Sequence, residues 1–297
     1  LIDSRLVVNA KGNKHNVSES KPIWSKDMSF SKILETRRAN FRFNRRVKRM
    51  LKTVGQTDET RTQAIFDLLK PYKIDLPFVR IGGDGDGGYV MPDDFAGLQG
   101  SYSPGVSDTI TFDLDIAKRG VPCFLADASV DGVKTNHPNI RFDKLLLGSR
   151  TQGDFISLED WVTKYTPKAT DLLLQIDIEG AEYEVINATP DNVLAQFRII
   201  NIEFHNFHHV FDPEKRERIL KTVQKLNQDF YLCHLHANNC APLGKYRGQK
   251  YPEVFEATYI RKNRCRTLPG KVTFPHSLDQ PNCPQNLDWH MPILWKD

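Results

Sequence analysis

Cysteine is scarce in this chain, and none of it is spaced for metal binding. The 297 residues hold five, Cys123, Cys233, Cys240, Cys265 and Cys283, with no C-x-x-C pair. That excludes the usual cysteine zinc sites. No apolar run reaches the roughly 18 residues of a membrane-spanning helix, and no signal-peptide pattern opens the chain. It starts at Leu1 rather than Met. The expectation is that an upstream segment has been removed, and that any membrane contact runs through an anchor lost with it. Acid is missing from one stretch: Arg37 to Lys52 holds eight basic residues and no Asp or Glu, in a chain of net charge +4. Hydrophobic content of 39% and charged content of 26% are those of an ordinary globular protein.

One loop lacks what its composition first suggests. Gly82 to Gly88 holds five glycines, but Asp84 and Asp86 would repel a phosphate. It is also no EF-hand, because no bidentate glutamate follows at the required distance. Asn16-Val-Ser18 is an N-glycosylation acceptor; Asn187-Ala-Thr189 is a poor second, followed by Pro190.

The chain divides into three. Residues 1–55 are polar and basic with little periodicity and read as a stem-like extension, with Phe41, Phe43 and Val47 as its anchors. The basic run has two readings, a surface for nucleic acid or acidic membrane and a solvated helix beside an anchor. The second is favoured because no aromatic stacking module accompanies the charge. Residues 56–263 alternate helix and strand and read as one domain, the candidate catalytic one. Residues 264–297 are Pro-rich and read as a tail packed on the domain. Cys123 and Cys233 fall in apolar strand-like runs and read as buried thiols, while Cys265 and Cys283 flank the tail and make a candidate bridge.

The spacing predicts helices at 60–69, 158–165 and 213–227. It predicts strands at 100–103, 121–126, 140–147, 172–177, 197–204, 230–236 and 254–261. The last two flank a segment with little helical signal, so they pair as an antiparallel hairpin. Fold class is α/β, a doubly wound, seven-stranded, mostly parallel sheet with one antiparallel strand.

The strongest local signal is Asp171-Leu-Leu-Leu-Gln-Ile-Asp-Ile-Glu-Gly-Ala-Glu-Tyr-Glu-Val-Ile186. It reads as a buried parallel strand ending in two carboxylates, Asp177 and Glu179, and then Gly180. Ligands in open α/β sheets sit beyond the carboxyl ends of the strands. One acid there suits a helix cap. Two acids before a glycine favour a site.

Several motifs lie in order along this sheet: Arg80-Ile-Gly-Gly-Asp-Gly-Asp-Gly-Gly-Tyr89, Tyr102-Ser-Pro-Gly-Val-Ser-Asp108, Phe112-Asp113, Phe124-Leu-Ala-Asp127, Ile176-Asp-Ile-Glu-Gly-Ala-Glu182, Ile202-Glu-Phe-His205 and His236-Ala-Asn-Asn-Cys240. Together they resemble the FkbM family of S-adenosylmethionine-dependent methyltransferases, in its animal-type branch with an upstream DGGY element. The resemblance implies the class I, Rossmann-like methyltransferase fold. One departure stands out: only Gly105 follows the first strand, where such enzymes usually carry an acid and several glycines.

The resemblance implies S-adenosylmethionine as cofactor, bound by Asp86, Gly105, Asp108, Asp127, Ala128, Gly148 and Asp177. Asp86 would meet the ammonium group and Asp127 the ribose hydroxyls. The acceptor side then falls to Glu179, Asn238 and Asn239. Transfer to a hydroxyl needs a base, and His205 or His236, with Asp177, are the candidates. Alternatively Asp177, Glu203 and His205 hold a divalent cation. This oxygen-rich set suits magnesium or manganese better than zinc. Phe207, His208 and His209 read as a supporting loop. Three function classes follow. One is an O-methyltransferase for a sugar hydroxyl of a glycan, in the secretory pathway and in the Golgi lumen. The others are a cytoplasmic methyltransferase for RNA or another acidic substrate, and a non-catalytic S-adenosylmethionine-binding domain. A sugar or glycan partner is expected, not nucleic acid.

Overall fold

A computed structural model of the chain describes residues 30–54, 58–107, 109–246, 249–289 and 291. Two helices come first, α1 (Phe30–Val54) and α2 (Glu59–Leu68), then a small antiparallel hairpin, β1 (Phe78–Ile81) and β2 (Tyr89–Pro92). Strand and helix then alternate: β3 (Gly100–Pro104), α3 (Thr111–Lys118), β4 (Cys123–Ala126), β5 (Ile140–Asp143), β6 (Leu146–Gly148), β7 (Phe155–Ser157), α4 (Leu158–Tyr165), β8 (Leu172–Ile176), α5 (Glu182–Ala188), α6 (Asp191–Leu194), β9 (Phe197–Phe204), α7 (Pro213–Asp229) and β10 (Phe230–Ala237). A second hairpin, β11 (Leu243–Tyr246) with β12 (Gln249–Pro252), precedes β13 (Phe255–Arg261). No helix among the described residues is long and apolar enough to cross a membrane.

Local chemistry sets the helix starts. Ser157 caps α4, accepting from Asp160 N, and Glu159 and Asp160 sit favourably in its first turn. Asp212 caps α7 ahead of Pro213, whose missing N–H costs nothing at that position.

The main sheet has seven strands in the order β10-β13-β9-β8-β3-β4-β5. Only β13 runs antiparallel to its neighbours, so the doubly wound, Rossmann-like expectation holds, and the 230–236 and 254–261 strands do pair. The central strands are buried on both faces. Leu172, Leu174 and Ile176 pack with Ile65, Trp161, Val185 and Val223 beneath α2, α4, α5 and α7. Leu173, Ile199, Cys233 and Ile260 face the other side, against Tyr89, Met91 and Ile116 of the β1–β2 hairpin and α3. Each fully buried aliphatic side chain contributes about 1.5–3 kcal/mol.

Four expectations are corrected. The stem is not aperiodic from residue 30 on: it is the 25-residue helix α1, which bears out the helix favoured for the basic run. Its seam packs Val47 on the core with Phe43, Met50 and Leu51 at helical spacing, a pattern diluted in the sequence by the basic residues among them. Phe43 packs there, but Phe41 is 69% exposed and anchors nothing. The 140–147 strand is broken after Asp143, whose carboxylate accepts from Trp161, Lys164 and Tyr165; β6 then pairs with β7 instead. Finally, Cys283 bridges Cys240, 43 residues away, and Cys265 is a free thiol. The tail crosses the end of β10, where Asn239 exchanges hydrogen bonds with the Cys283 backbone and holds the two cysteines together. Cys123 and Cys233 are buried free thiols, as expected. Asn16 lies outside the described residues. Asn187 donates from its amide to Arg218 O, which ties it to α7.

Candidate active site

The carboxyl ends of β3, β4 and β8 open on a cleft of about 590 Å³, within the usual range for small-ligand sites. Gly105 turns the chain out of β3 at φ +80°, and a Cβ there would lie 1.6 Å from Asp177 O. No other residue fits between the two strand ends. Ser107, Glu179 and Asn206, the non-glycine residues with positive φ among those described, follow β3, β8 and β9. Such strain gathers where a site over-determines the backbone.

At the β4 side of the cleft, Asp127 follows the strand and is 5% exposed. Its two oxygens accept from Ser107 N at 2.9 Å and Ser129 N at 2.7 Å. Burial pushes this carboxyl up, but a hydrogen bond from the Ser129 side chain, with those from the Ser107 and Ser129 backbone, outweighs it and holds it below its ordinary value. Leu146, Leu147 and Phe155 give the cleft an apolar wall. Asp113 of α3 also lines it, 2% exposed, and its Oδ1 has no hydrogen-bond partner. Burial raises the Asp113 carboxyl to about 7.

On the hairpin side of the sheet the strands turn polar towards the cleft end. Gln175, Asn201, Thr258 and His234 sit in register across four strands. Tyr89 and Val90 of β2 cover this row: Gln175 donates to the Tyr89 hydroxyl at 3.0 Å and Thr258 to Val90 O at 2.8 Å. The next row is Glu203, Glu256 and His236, with Asp177 just past β8. Asn238 donates to Glu203 Oε1 at 2.8 Å, and Asn282 of the tail donates to Glu256 Oε1 at 2.7 Å and to Asp86 Oδ1 at 3.2 Å. Glu203 Oε2 and Asp177 Oδ1 are buried without partners.

His205, immediately after β9, faces this row. Glu182 Oε1 takes its Nδ1 at 2.9 Å and also accepts from Gly180 N at 2.9 Å and Ile178 N at 3.3 Å. A carboxylate on Nδ1 turns Nε2 outwards. Nε2 then lies 3.5 Å from Glu179, 3.8 Å from Asp177 and 3.8 Å from Glu203. Among the described residues, this one imidazole is the ion-pair partner of all four carboxylates. The electrostatics show the strain. Burial pushes the Asp177 carboxyl up to about 7, with His205 opposing and Glu179 and Glu182 adding. Burial, then Asp177 and Glu256, hold the Glu203 carboxyl well above its ordinary value. Burial works against a charged His205, but Glu182, Asp177 and Glu179 outweigh it and raise its pKa. Asp177, Glu203 and His205 each offer a ligand atom, all within 4.8 Å of one another. Carboxylates this close favour a cation between them.

The structure therefore brings together the three residues expected to hold a metal, with Glu179 above them. Asp86, Gly105, Asp127 and Asp177 all line the cleft. Ala128 and Gly148 do not, although their neighbours Asp127, Ser129 and Leu147 do. Asp108 lies outside the described residues. His236 sits apart from the cleft lining, 5% exposed, with Nδ1 3.5 Å from Glu256. Burial opposes its charge, yet Glu256 raises its pKa to about 9. Two acceptor-side expectations are corrected. Asn239 binds the tail backbone through both amide atoms, Asn238 binds Glu203 and Cys240 N, and both are buried outside the cleft lining, so neither is presented to an acceptor. Phe207 and His208 form the supporting turn, with His208 bonded to Glu253 at 2.6 Å.

Four residues went unassigned in the sequence. Glu182 stands in the quoted Glu-Gly-Ala-Glu motif, where its distance from the strand end hides its role. Glu256 is an acid inside an apolar strand, itself a signal. Asp113 opens a helix and reads as a first-turn acid. Asn282 carried no signal, since the tail that delivers it has no period.

Residues 148–230 match the family model described as the methyltransferase FkbM domain. The matched segment carries Asp177, Glu179, Glu182, Glu203 and His205, but not Asp113, Asp127 or His236. No curated protein matches the chain.

Proposed function

We propose that this chain, an FkbM-family methyltransferase by its residues 148–230 and so a user of S-adenosylmethionine, transfers the methyl group to a sugar hydroxyl of a glycan. The cofactor supplies an electrophilic methyl on a sulfonium sulfur. The residues lining the cleft suit it: Asp127 for the ribose hydroxyls, the Leu147 and Phe155 wall for the base, and Asp86 with the unpartnered Asp113 oxygen for the ammonium group. A bound ammonium group is the partner that this buried, unsatisfied carboxylate lacks.

At the acceptor side, the observation that carries the reading is the pair of unpartnered buried oxygens on Asp177 and Glu203, beside His205 Nε2. We assign Asp177, Glu203 and His205 as ligands of a magnesium or manganese ion. Such an ion would neutralise the carboxylates and lower the pKa of an acceptor hydroxyl. Glu182 behind His205 is the carboxylate–histidine support that metal-bound imidazoles commonly have. Glu179, exposed at the mouth, is placed to accept a hydrogen bond from a neighbouring sugar hydroxyl. The same Glu182–His205 bond favours a second reading, in which His205 alone takes the hydroxyl proton. A cleft edged with carboxylates repels phosphate, which disfavours RNA. The Cys240–Cys283 disulfide and the Asn16 acceptor support a place in the secretory pathway, with the Golgi lumen as the site.

The test of the acceptor is incubation with labelled S-adenosylmethionine and a panel of free and protein-linked sugars, with RNA alongside. Label in sugar and none in RNA is expected. Label in RNA with every sugar untouched would overturn the reading.

A further inference from the structure

One face of α1 is glued to the domain and the other is bare. Val47 is buried on the inner face, and Phe43 packs edge-on against His208 and Tyr251. Asn44 donates to Leu243 O at 3.2 Å and accepts from Lys245 N at 2.7 Å, while Asn40 accepts from Leu243 N at 2.9 Å. At about 3.6 residues per turn, the opposite face holds Arg38, Arg42, Arg45, Arg49 and Lys52, flanked by Arg37, Arg46 and Lys48. All eight are exposed, and among the described residues none makes an ion pair. Like charges three and four apart destabilise a helix. The sequence nevertheless repeats them with no acid between, in a chain whose net charge is only +4. A polyanion would offset that cost.

The shape and chemistry of the face narrow the partner. It is a single straight row about 21 Å long from Arg38 to Lys52, which suits a linear chain. Six of the eight are arginine, whose planar forks grip sulfate and carboxylate oxygens in pairs. One exposed ring, Phe41, is neither a stacking platform for bases nor an apolar face for lipid. The helix that carries the row docks beside the acceptor side. α1 is bonded to β11, which follows Asn238, the residue that orients Glu203, and Phe43 meets the turn directly after His205.

We propose that the outer face of α1 binds an acidic, linear polysaccharide bearing sulfate or carboxylate groups, and holds that chain while the cleft methylates one of its hydroxyls. The choice of a polysaccharide among anions rests on the sugar-acceptor reading. The probe is heparin, titrated calorimetrically into the full chain and into Arg42→Glu/Arg45→Glu/Arg49→Glu, with vesicles rich in phosphatidylserine and single-stranded RNA in parallel. Circular dichroism and S-adenosylmethionine affinity report whether the variant is folded. The wild type should bind heparin in preference to vesicles and RNA, with an affinity that falls as salt rises. The folded variant should bind it about tenfold more weakly. Equal heparin affinity in wild type and folded variant would overturn the proposal, as would tighter binding to vesicles or RNA. If the heparin results hold while the wild type methylates no sugar, the binding surface stands and the sugar-acceptor reading alone falls.

Discussion

Replacing Asp113 with asparagine keeps the shape of the side chain and removes its charge, so it separates what that carboxylate costs the fold from what it gives the cofactor. The carboxyl is held at about 7 against an ordinary 3.8, which corresponds to at most about 4 kcal/mol. The sign follows from proton binding. Between about pH 4 and pH 7 the folded carboxyl holds its proton while the unfolded one has released it, so Asp113 makes the wild type lose stability as pH rises through that window. Above it the full cost is paid. The asparagine variant lacks this contribution. In urea unfolding at pH 5 to 8.5 the two proteins should match most closely at the acid end, and the variant should be the more stable by up to about 4 kcal/mol at pH 8. Cofactor binding should move the other way. A charge-assisted hydrogen bond to the ammonium group contributes about 1.5–3 kcal/mol, so the variant should bind S-adenosylmethionine correspondingly more weakly. Wild-type affinity should also rise as pH passes about 7, and the variant's should not. Parallel pH–stability curves together with equal cofactor affinity would refute the reasoning.

Three further outcomes are expected. Asp127→Ala should weaken S-adenosylmethionine binding by about 1.5–3 kcal/mol in calorimetry; equal affinity would remove Asp127 from the site. Glu182→Gln should cut methyl transfer or manganese affinity by about 10–100-fold through a loosened His205, leaving cofactor affinity close to wild type, and unaltered transfer would show that His205 needs no support. Cys240→Ser should lower unfolding stability by about 3–4 kcal/mol, from the 43-residue separation it closes, and an unchanged urea midpoint would contradict this.

What the sequence made legible follows from where period and burial agree. β8, β9 and α4 were readable because long apolar runs or a clean cap fix them locally, and Asp177, Glu203 and His205 came with the strand ends. The strand after Asn139 was misread because Asp143, a hydrogen-bond hub for Trp161, Lys164 and Tyr165, ends it by tertiary contact alone. The extent of α1 was harder to read: Phe43, Val47, Met50 and Leu51 recur at helical spacing and pack on the core, but eight basic residues lie among them and Asn40 and Asn44 complete the seam by hydrogen bonds. The true disulfide was not deducible from spacing, since the approach of Cys283 to Cys240 depends on the tail's path. Asn282 and the closure of the second polar row share that cause.

The proposed cation site of Asp177, Glu203 and His205 is tested most directly by methyl transfer to sugar after exhaustive chelation with EDTA, with manganese then added back and Asp177→Asn run in parallel. Loss of activity on chelation, recovery with manganese or magnesium, and an Asp177→Asn variant that binds cofactor but scarcely turns over are the results predicted. Full activity in the chelated wild type would contradict the cation and leave His205 as the base.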